Sequence, residues 1–181
     1  HALGFQLCTH AIGDAANRTV LDAYEAAVPA ADRERVRFRI EHAQVVHRED
    51  FPRFARLSVI PSMQPTHMTS DMPWAPTRLG AERTEGAYAW PTFLALGLPL
   101  PFGSDFPVES ADPRLGLYAA VTTRAPDGSG PPDGFRPSGA LDRKSALRSF
   151  TLDAAYAAFA EREQGSIEVG KRADFTILDR D

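Results

Sequence analysis

Three apolar runs in this chain end abruptly on a residue able to hold a proton or a metal ion, and that pattern limits the fold more than any other feature. The first is Phe5-Gln6-Leu7-Cys8-Thr9-His10 and the second Val36-Arg37-Phe38-Arg39-Ile40-Glu41-His42. The third, Leu98-Pro99-Leu100-Pro101-Phe102, passes through Gly103-Ser104 to Asp105, and Pro107 stops further extension. Each run is the length of a strand. In a sheet of parallel strands flanked by helices, ligands and reacting groups gather at the carboxyl ends of the strands. His10, His42 and Asp105 therefore read as metal ligands, and neutral imidazole with carboxylate suits zinc or a similar divalent ion. The competing readings are plain ones. A strand-end histidine is often only packed or hydrogen-bonded, and Asp105 alone could cap a following helix.

The segments between these ends fit a strand-helix repeat. Ala16, Val20, Leu21, Tyr24, Ala27 and Val28 fall near three-four spacing, so a helix is expected from Asp14, with Asp14 as its cap and Pro29 as its stop. His42 follows His10 by 32 residues, about one strand-helix-strand unit. A second helix is expected over Arg48 to Arg56, then a third strand from Leu57 to Gln64, running into Pro65-Thr66-His67. Residues 65–85 are long and rich in Pro, and read as a functional loop over the strand ends. Gln64, His67 and Trp74 are the candidates for contacting substrate. Against that, His67 reads equally as an exposed loop histidine, and Trp74, with Met68 and Met72, as a pin for the loop. Glu41 should alternate away from His42 and pair with Arg37 or Arg39. Helices follow at Gly86 to Leu96, Leu115 to Thr123 and, entered through Leu141-Asp142, Arg143 to Glu161; residues 125–139 read as a surface loop. Alternation around Gly170-Lys171 suggests two short closing strands. Four strand-helix units make an α/β fold amounting to half of an eight-stranded barrel.

Composition narrows the function. With 181 residues, 43% hydrophobic and 24% charged, the chain reads as one globular domain with a real core. A net charge of −4 and unclustered basic residues argue against a nucleic-acid partner. No apolar run approaches membrane-spanning length, and no basic-then-apolar leader is visible. Cys8 is the lone cysteine, compatible with a reducing compartment, so a cytoplasmic protein is expected. The chain opens on His1 and reads as an internal piece of a longer polypeptide. Half of a barrel leaves two sheet edges and an apolar face, so a missing N-terminal half or a second chain, as in a homodimer, is expected as partner.

The motifs also carry a resemblance. Thr9-His10-Ala11-Ile12-Gly13-Asp14, Arg39-Ile40-Glu41-His42-Ala43-Gln44, Gly103-Ser104-Asp105-Phe106-Pro107-Val108-Glu109 and Gly165-Ser166-Ile167 with Gly170-Lys171-Arg172-Ala173-Asp174-Phe175 resemble the amidohydrolase superfamily. Within it they are similar to the third amidohydrolase family, the branch of N-substituted formamide deformylases and exoenzyme regulatory proteins. The resemblance implies a metal-dependent hydrolase built on a (β/α)8, TIM-like barrel. Residues 1–162 would be its C-terminal half, strands five to eight, and residues 163–181 strands of a small β-sandwich. It implies that His10 follows the fifth strand, His42 the sixth and Asp105 the eighth. The family's His-x-His pair and carboxylated lysine belong to strands one and four, outside this sequence, so one or two zinc ions are both compatible. The expected reaction is hydrolysis of an amide- or formamide-type carbon–nitrogen bond in a small molecule. The metal would acidify a bound water, and Asp105 would take its proton and pass it to the departing amine. A deaminase, a lactonase and a non-catalytic binding or regulatory module are the alternatives. The fragment alone is expected to bind metal poorly and to be inactive.

Overall fold

The structure, a computed structural model, describes residues 3–179. Its strands are short and parallel: β1 (Cys8–Ala11), β2 (Arg39–His42) and β3 (Ile60–Ser62), in the order β1-β2-β3. Register sets Ala11 opposite His42 and Glu41 opposite Ser62, so the strands finish nearly level. The expected third strand is thus cut to three residues. The expected fourth is reduced to a single parallel bridge, Phe102 with Met63, flanked by Met63 N–H donating to Pro101 O (3.0 Å) and Gly103 N–H to Met63 O (3.1 Å). Pro99 and Pro101 lack the amide protons a longer ladder needs. Asp105 lies three residues past the bridge, in a turn.

Helix α1 (Asp14–Ala27) turns Leu21 and Tyr24 inward as its spacing requires. Its cap position is Gly13, and Asp14 is the first helical residue with no side-chain cap bond, so the capping role expected for Asp14 is not made. After α2 (Arg33–Val36) and β2, α3 (Phe51–Leu57) packs Phe51, Phe54 and Leu57. Most of residues 65–85, expected to be a loop, are two helices, α4 (Pro65–Asp71) and α5 (Ala75–Thr84). Two of the three prolines that argued for a loop, Pro65 and Pro76, sit in the first turn of a helix, where a missing N–H costs nothing and φ is already helical, and Pro73 lies in the link between the two helices. Next come α6 (Trp90–Ala95) and α7 (Pro113–Thr122). The long helix expected from Arg143 is two, α8 (Arg143–Phe150) and α9 (Leu152–Ala157), because Thr151 departs from helical geometry at φ −123°, ψ −86°. Asp142 does cap α8, accepting from Ser145 N–H at 2.9 Å.

No strand forms among the described residues of 163–179. The alternating apolar side chains there, Ile167, Val169 and Ile177, are 86%, 108% and 93% exposed and have no neighbouring backbone to pair with. The open edge of β1 is similar, with Leu3, Phe5, Leu7 and Ile12 all exposed. No helix among the described residues is long and apolar enough to cross a membrane.

The core is aromatic where helices meet the sheet. Phe93 stands edge-on to Phe51 and Phe54 at 5.1 and 5.0 Å, and Trp90, Phe102 and Phe150 continue the chain of rings. Below the sheet Arg37 forks onto Glu161 (2.7 and 2.9 Å) and lies over the Tyr156 ring at 3.7 Å. Arg39, on the same strand, pairs with Glu41 at 2.7 Å. Above the sheet, buried Asn17 Nδ2 shares its protons among the carbonyls of Ala11, Ile12, Gly13 and Val45, at 2.9–3.3 Å. That side chain ties the segment after β1 to the segment after β2. Asn17→Ala removes those bonds, although Ala11, Ile12 and Gly13 O each keep a backbone donor, and we expect a loss of about 1–3 kcal/mol of stability, measured by urea unfolding. An unchanged midpoint would show that the amide does not hold the two strand ends.

Candidate metal centre

His42 closes β2 in an unusual conformation, with φ +78°, and Ala43 follows at φ +44°. Left-handed geometry at a residue with a side chain is costly and persists only where its surroundings enforce it. Here it turns the imidazole inward, leaving the residue 8% exposed. Gln64, just past β3, places Oε1 2.9 Å from His42 Nδ1, while its own Nε2 donates to Ser62 O at 3.4 Å. An amide oxygen can only accept, so Nδ1 carries the imidazole proton and Nε2 keeps its lone pair. A histidine prepared to ligate a metal has this form.

His67 is the third residue of α4, not a loop residue. It is buried, its ring is stacked on that of His42 at 5.5 Å, and its Nε2 has no hydrogen-bond partner. That nitrogen lies 3.7 Å from Asp105 Oδ2, too far for a hydrogen bond. Asp105 also has left-handed backbone, φ +57°, and holds its carboxylate at the mouth of the site with 40% of the side chain exposed. One donor atom from each of His42, His67 and Asp105 lies within 4.8 Å of the others. Donors around a tetrahedral zinc stand roughly 3.4 Å apart, so the three need only draw together slightly to share an ion. The donor chemistry and the orphaned Nε2 both fit a divalent metal.

Of the residues expected from sequence to be ligands, His42 and Asp105 are in this cluster. His10 is exposed beside it, with its ring edge-on to His42 at 4.5 Å. Of the expected substrate contacts, His67 stands among the donors and Gln64 orients His42. Trp74 is not brought to the cluster; it faces the Arg78 guanidinium at 5.5 Å and is 46% exposed. Met68 and Met72 are buried, and a side chain at Gly130 would strike Met72 Sδ at 2.5 Å, so the 125–139 loop lies on this helix.

Sequence reasoning missed a polar layer behind His67. Tyr88 Oη is hydrogen-bonded to the Asp71 carboxylate and takes a bond from Gln44 Nε2 at 2.6 Å; Gln44 Nε2 also reaches Asp71 Oδ2 at 3.0 Å. Burial, then Asp71, push the Tyr88 hydroxyl's pKa well up, so it retains a proton to donate. No spacing rule links residues 44, 71 and 88. The Gln64-Pro65 step, a residue before a helix-starting proline, is the one signal that could have moved His67 onto a helix.

The family model of the amidohydrolase family matches residues 1–181. YtcJ of Bacillus subtilis strain 168, which bears an amidohydrolase name, is 36% identical over 98% of this chain and 33% of its own length. The N-substituted formamide deformylase of Arthrobacter pascens is 31% identical over 99% of this chain and 32% of its own. The crystal structure of an uncharacterized metal-dependent hydrolase from Pyrococcus furiosus superposes with a TM-score of 0.82 at 35% identity, covering 99% of this chain and 34% of that one. The chain spans about a third of the length of the curated relatives it matches.

Burial first, then His42, lower the pKa of His67 below its ordinary 6.5, although Glu109, Asp105 and Asp71 pull the other way. The unfolded chain therefore binds a proton that the folded chain resists. His67 contributes fully to stability above pH 6.5 and loses that contribution as the pH falls through the lowered folded value. Urea unfolding of the metal-free protein between about pH 7.5 and 5 should show that decline, and His67→Gln should flatten it. An unchanged slope in the variant would place the titration elsewhere.

Proposed function

This chain belongs to the amidohydrolase family, and from that premise we propose that the protein it forms part of is a metal-dependent hydrolase of amide- or formamide-type carbon–nitrogen bonds. The observation that carries this reading is the buried, partnerless Nε2 of His67 facing His42 and the Asp105 carboxylate. An orphaned polar atom beside two other donors is costly unless something occupies the space between them.

His42, His67 and Asp105 would hold the ion, with His10 beside His42 as a further donor, and the imidazole–carboxylate set favours zinc. A bound ion would supply an electrophile for the carbonyl oxygen and lower the pKa of a water. The remaining work falls to side chains of this chain. Gln64 fixes the tautomer of His42 so that its lone pair points into the site. Asp105, with 40% of its side chain exposed, would accept a proton from the attacking water and return it to the leaving nitrogen. His67, held neutral by burial, offers a lone pair and no competing charge.

The same reading covers the architecture. We infer that β1-β2-β3 and the Phe102 bridge are half of an eight-stranded barrel, with the remaining strands on the open edge of β1, where Leu3, Phe5, Leu7 and Ile12 are exposed. Residues 163–179 would then be strands of a small β-sandwich whose partners come from elsewhere in the longer polypeptide, and the fragment alone would be inactive. A second copy of the chain is the other candidate for that edge.

The test uses the full-length protein. After zinc reconstitution it should hold near-stoichiometric metal by elemental analysis and hydrolyse members of a panel of N-formyl amines, amides and ureas. His42→Ala and Asp105→Ala should each lower zinc affinity and rate by about 100-fold or more, since even the partners of ligands are worth 10–100-fold. A full-length protein that stays metal-free would point to the binding-module reading. One that hydrolyses only lactones or deaminates would keep the centre and change the reaction.

A further inference from the structure

Helix α4 carries His67 but is only seven residues long, too short to hold itself in place. What holds it comes from a distant part of the chain. Directly after His42, residues 44–46 pair antiparallel with residues 86–88: Val45 bridges Ala87, Val46 N–H donates to Gly86 O (3.0 Å) and Tyr88 N–H to Gln44 O (2.7 Å). The approach is so close that a Cβ at Gly86 would stand 2.1 Å from Val46 O, so only glycine fits. This clasp delivers Tyr88, 4% exposed and at φ +50°, beneath α4.

Three bonds converge there. The Tyr88 hydroxyl is bonded to the carboxylate of Asp71, the last residue of α4, receives Gln44 Nε2 and lies 3.4 Å from the His67 carbonyl. Trp90 and Phe135 stand edge-on to the Tyr88 ring at 6.4 and 6.2 Å. Asp71 and His67 are four residues apart and share one face of the helix. Gln44 is two residues from His42. The Tyr88 side chain, beside the direct bond from Gln44 to Asp71, therefore ties together the two elements that carry the histidine donors.

We propose that Tyr88 is a positioning residue of the metal centre: through Asp71 and Gln44 it fixes helix α4 against the end of β2 and so places His67 Nε2 beside His42 and Asp105. The inference rests on the reading of that cluster as metal-holding. It assigns Tyr88 no contact with substrate and no proton transfer. Its effect runs through His67, and removing His67 must remove it.

That dependence is the test. Cobalt(II) is titrated into the full-length protein and into Tyr88→Phe, His67→Asn and the double variant, reading the dissociation constant and the visible absorption spectrum. Tyr88→Phe should weaken cobalt about tenfold and alter the spectrum, yet add no further weakening once His67→Asn is present. Asp71→Asn, which keeps the side chain's size, should show the same dependence and guards against a folding defect peculiar to Tyr88→Phe. An equal penalty with and without His67 would overturn the proposal, because the hydroxyl would then be general packing; so would no penalty in either background. Cobalt binding that survives His42→Ala and Asp105→Ala would overturn the metal reading itself, a separate failure detected by separate variants.

Discussion

A parallel ladder can set two ligands side by side only while its register is held, and in this chain a buried amide outside the strands adds to the backbone bonds that hold it. Strands β1 and β2 share four residue pairs, and Ala43 N–H on Ala11 O with Val45 N–H on Ile12 O carries the pairing beyond them. Asn17 reinforces it by donating to carbonyls at the end of β1 and past the end of β2. A one-residue slip would part the amide from its acceptors. The observed register sets His10 level with Glu41, so regular alternation alone would face it away from His42, and their rings meet at 4.5 Å where His42 takes left-handed backbone. Helix α1 is thus needed for the site although it contributes no ligand: its first inward position, one turn before Leu21, is the asparagine.

Strain is the second constraint. Non-glycine residues in left-handed geometry are uncommon, and three of them, His42, Ala43 and Asp105, lie at the candidate centre. Elsewhere in the chain several such residues close helices, as Arg37, Ser58 and Thr123 do. At the centre they turn donor side chains away from the direction a regular strand would give them. The cost is met by neighbours that leave no alternative: Gln64 on the His42 ring, and the clasp of residues 44–46 with 86–88 just beyond it.

What the sequence disclosed follows from how local each signal is. The ends of β1 and β2, helix α1 and the Asp142 cap depend on neighbours within a few positions, and they were legible. The helices at 65–84 were not, because proline is a breaker inside a helix and a starter at its first turn, and the two uses look alike without the fold. The fourth strand was over-read, since an apolar run containing Pro99 and Pro101 cannot make a ladder. The closing strands are not formed among the described residues of 163–179, because alternation gives a strand its faces but not a partner. At the site, His42 and Asp105 stood out as strand-end residues. The place of His67 beside them, and the Gln44–Tyr88–Asp71 layer, join positions up to 44 residues apart and obey no period.

The Arg37 clamp has a consequence in time. It joins the residues just before β2 to Glu161 across 124 residues of chain, whereas α1 and α2 separate β1 from β2 and only α3 separates β2 from β3. On a ribosome adding 5–20 residues per second, roughly 6 to 25 seconds separate the emergence of the two partners. Until α9 arrives, the guanidinium beneath the sheet has only water for company and the aromatic faces of Tyr156 and Phe159 do not yet exist. The ligand end of the sheet can therefore be assembled well before its floor is bolted down. A nascent chain stalled before residue 161 would present an upper site in place above an unsealed base, the state in which a chaperone would meet it.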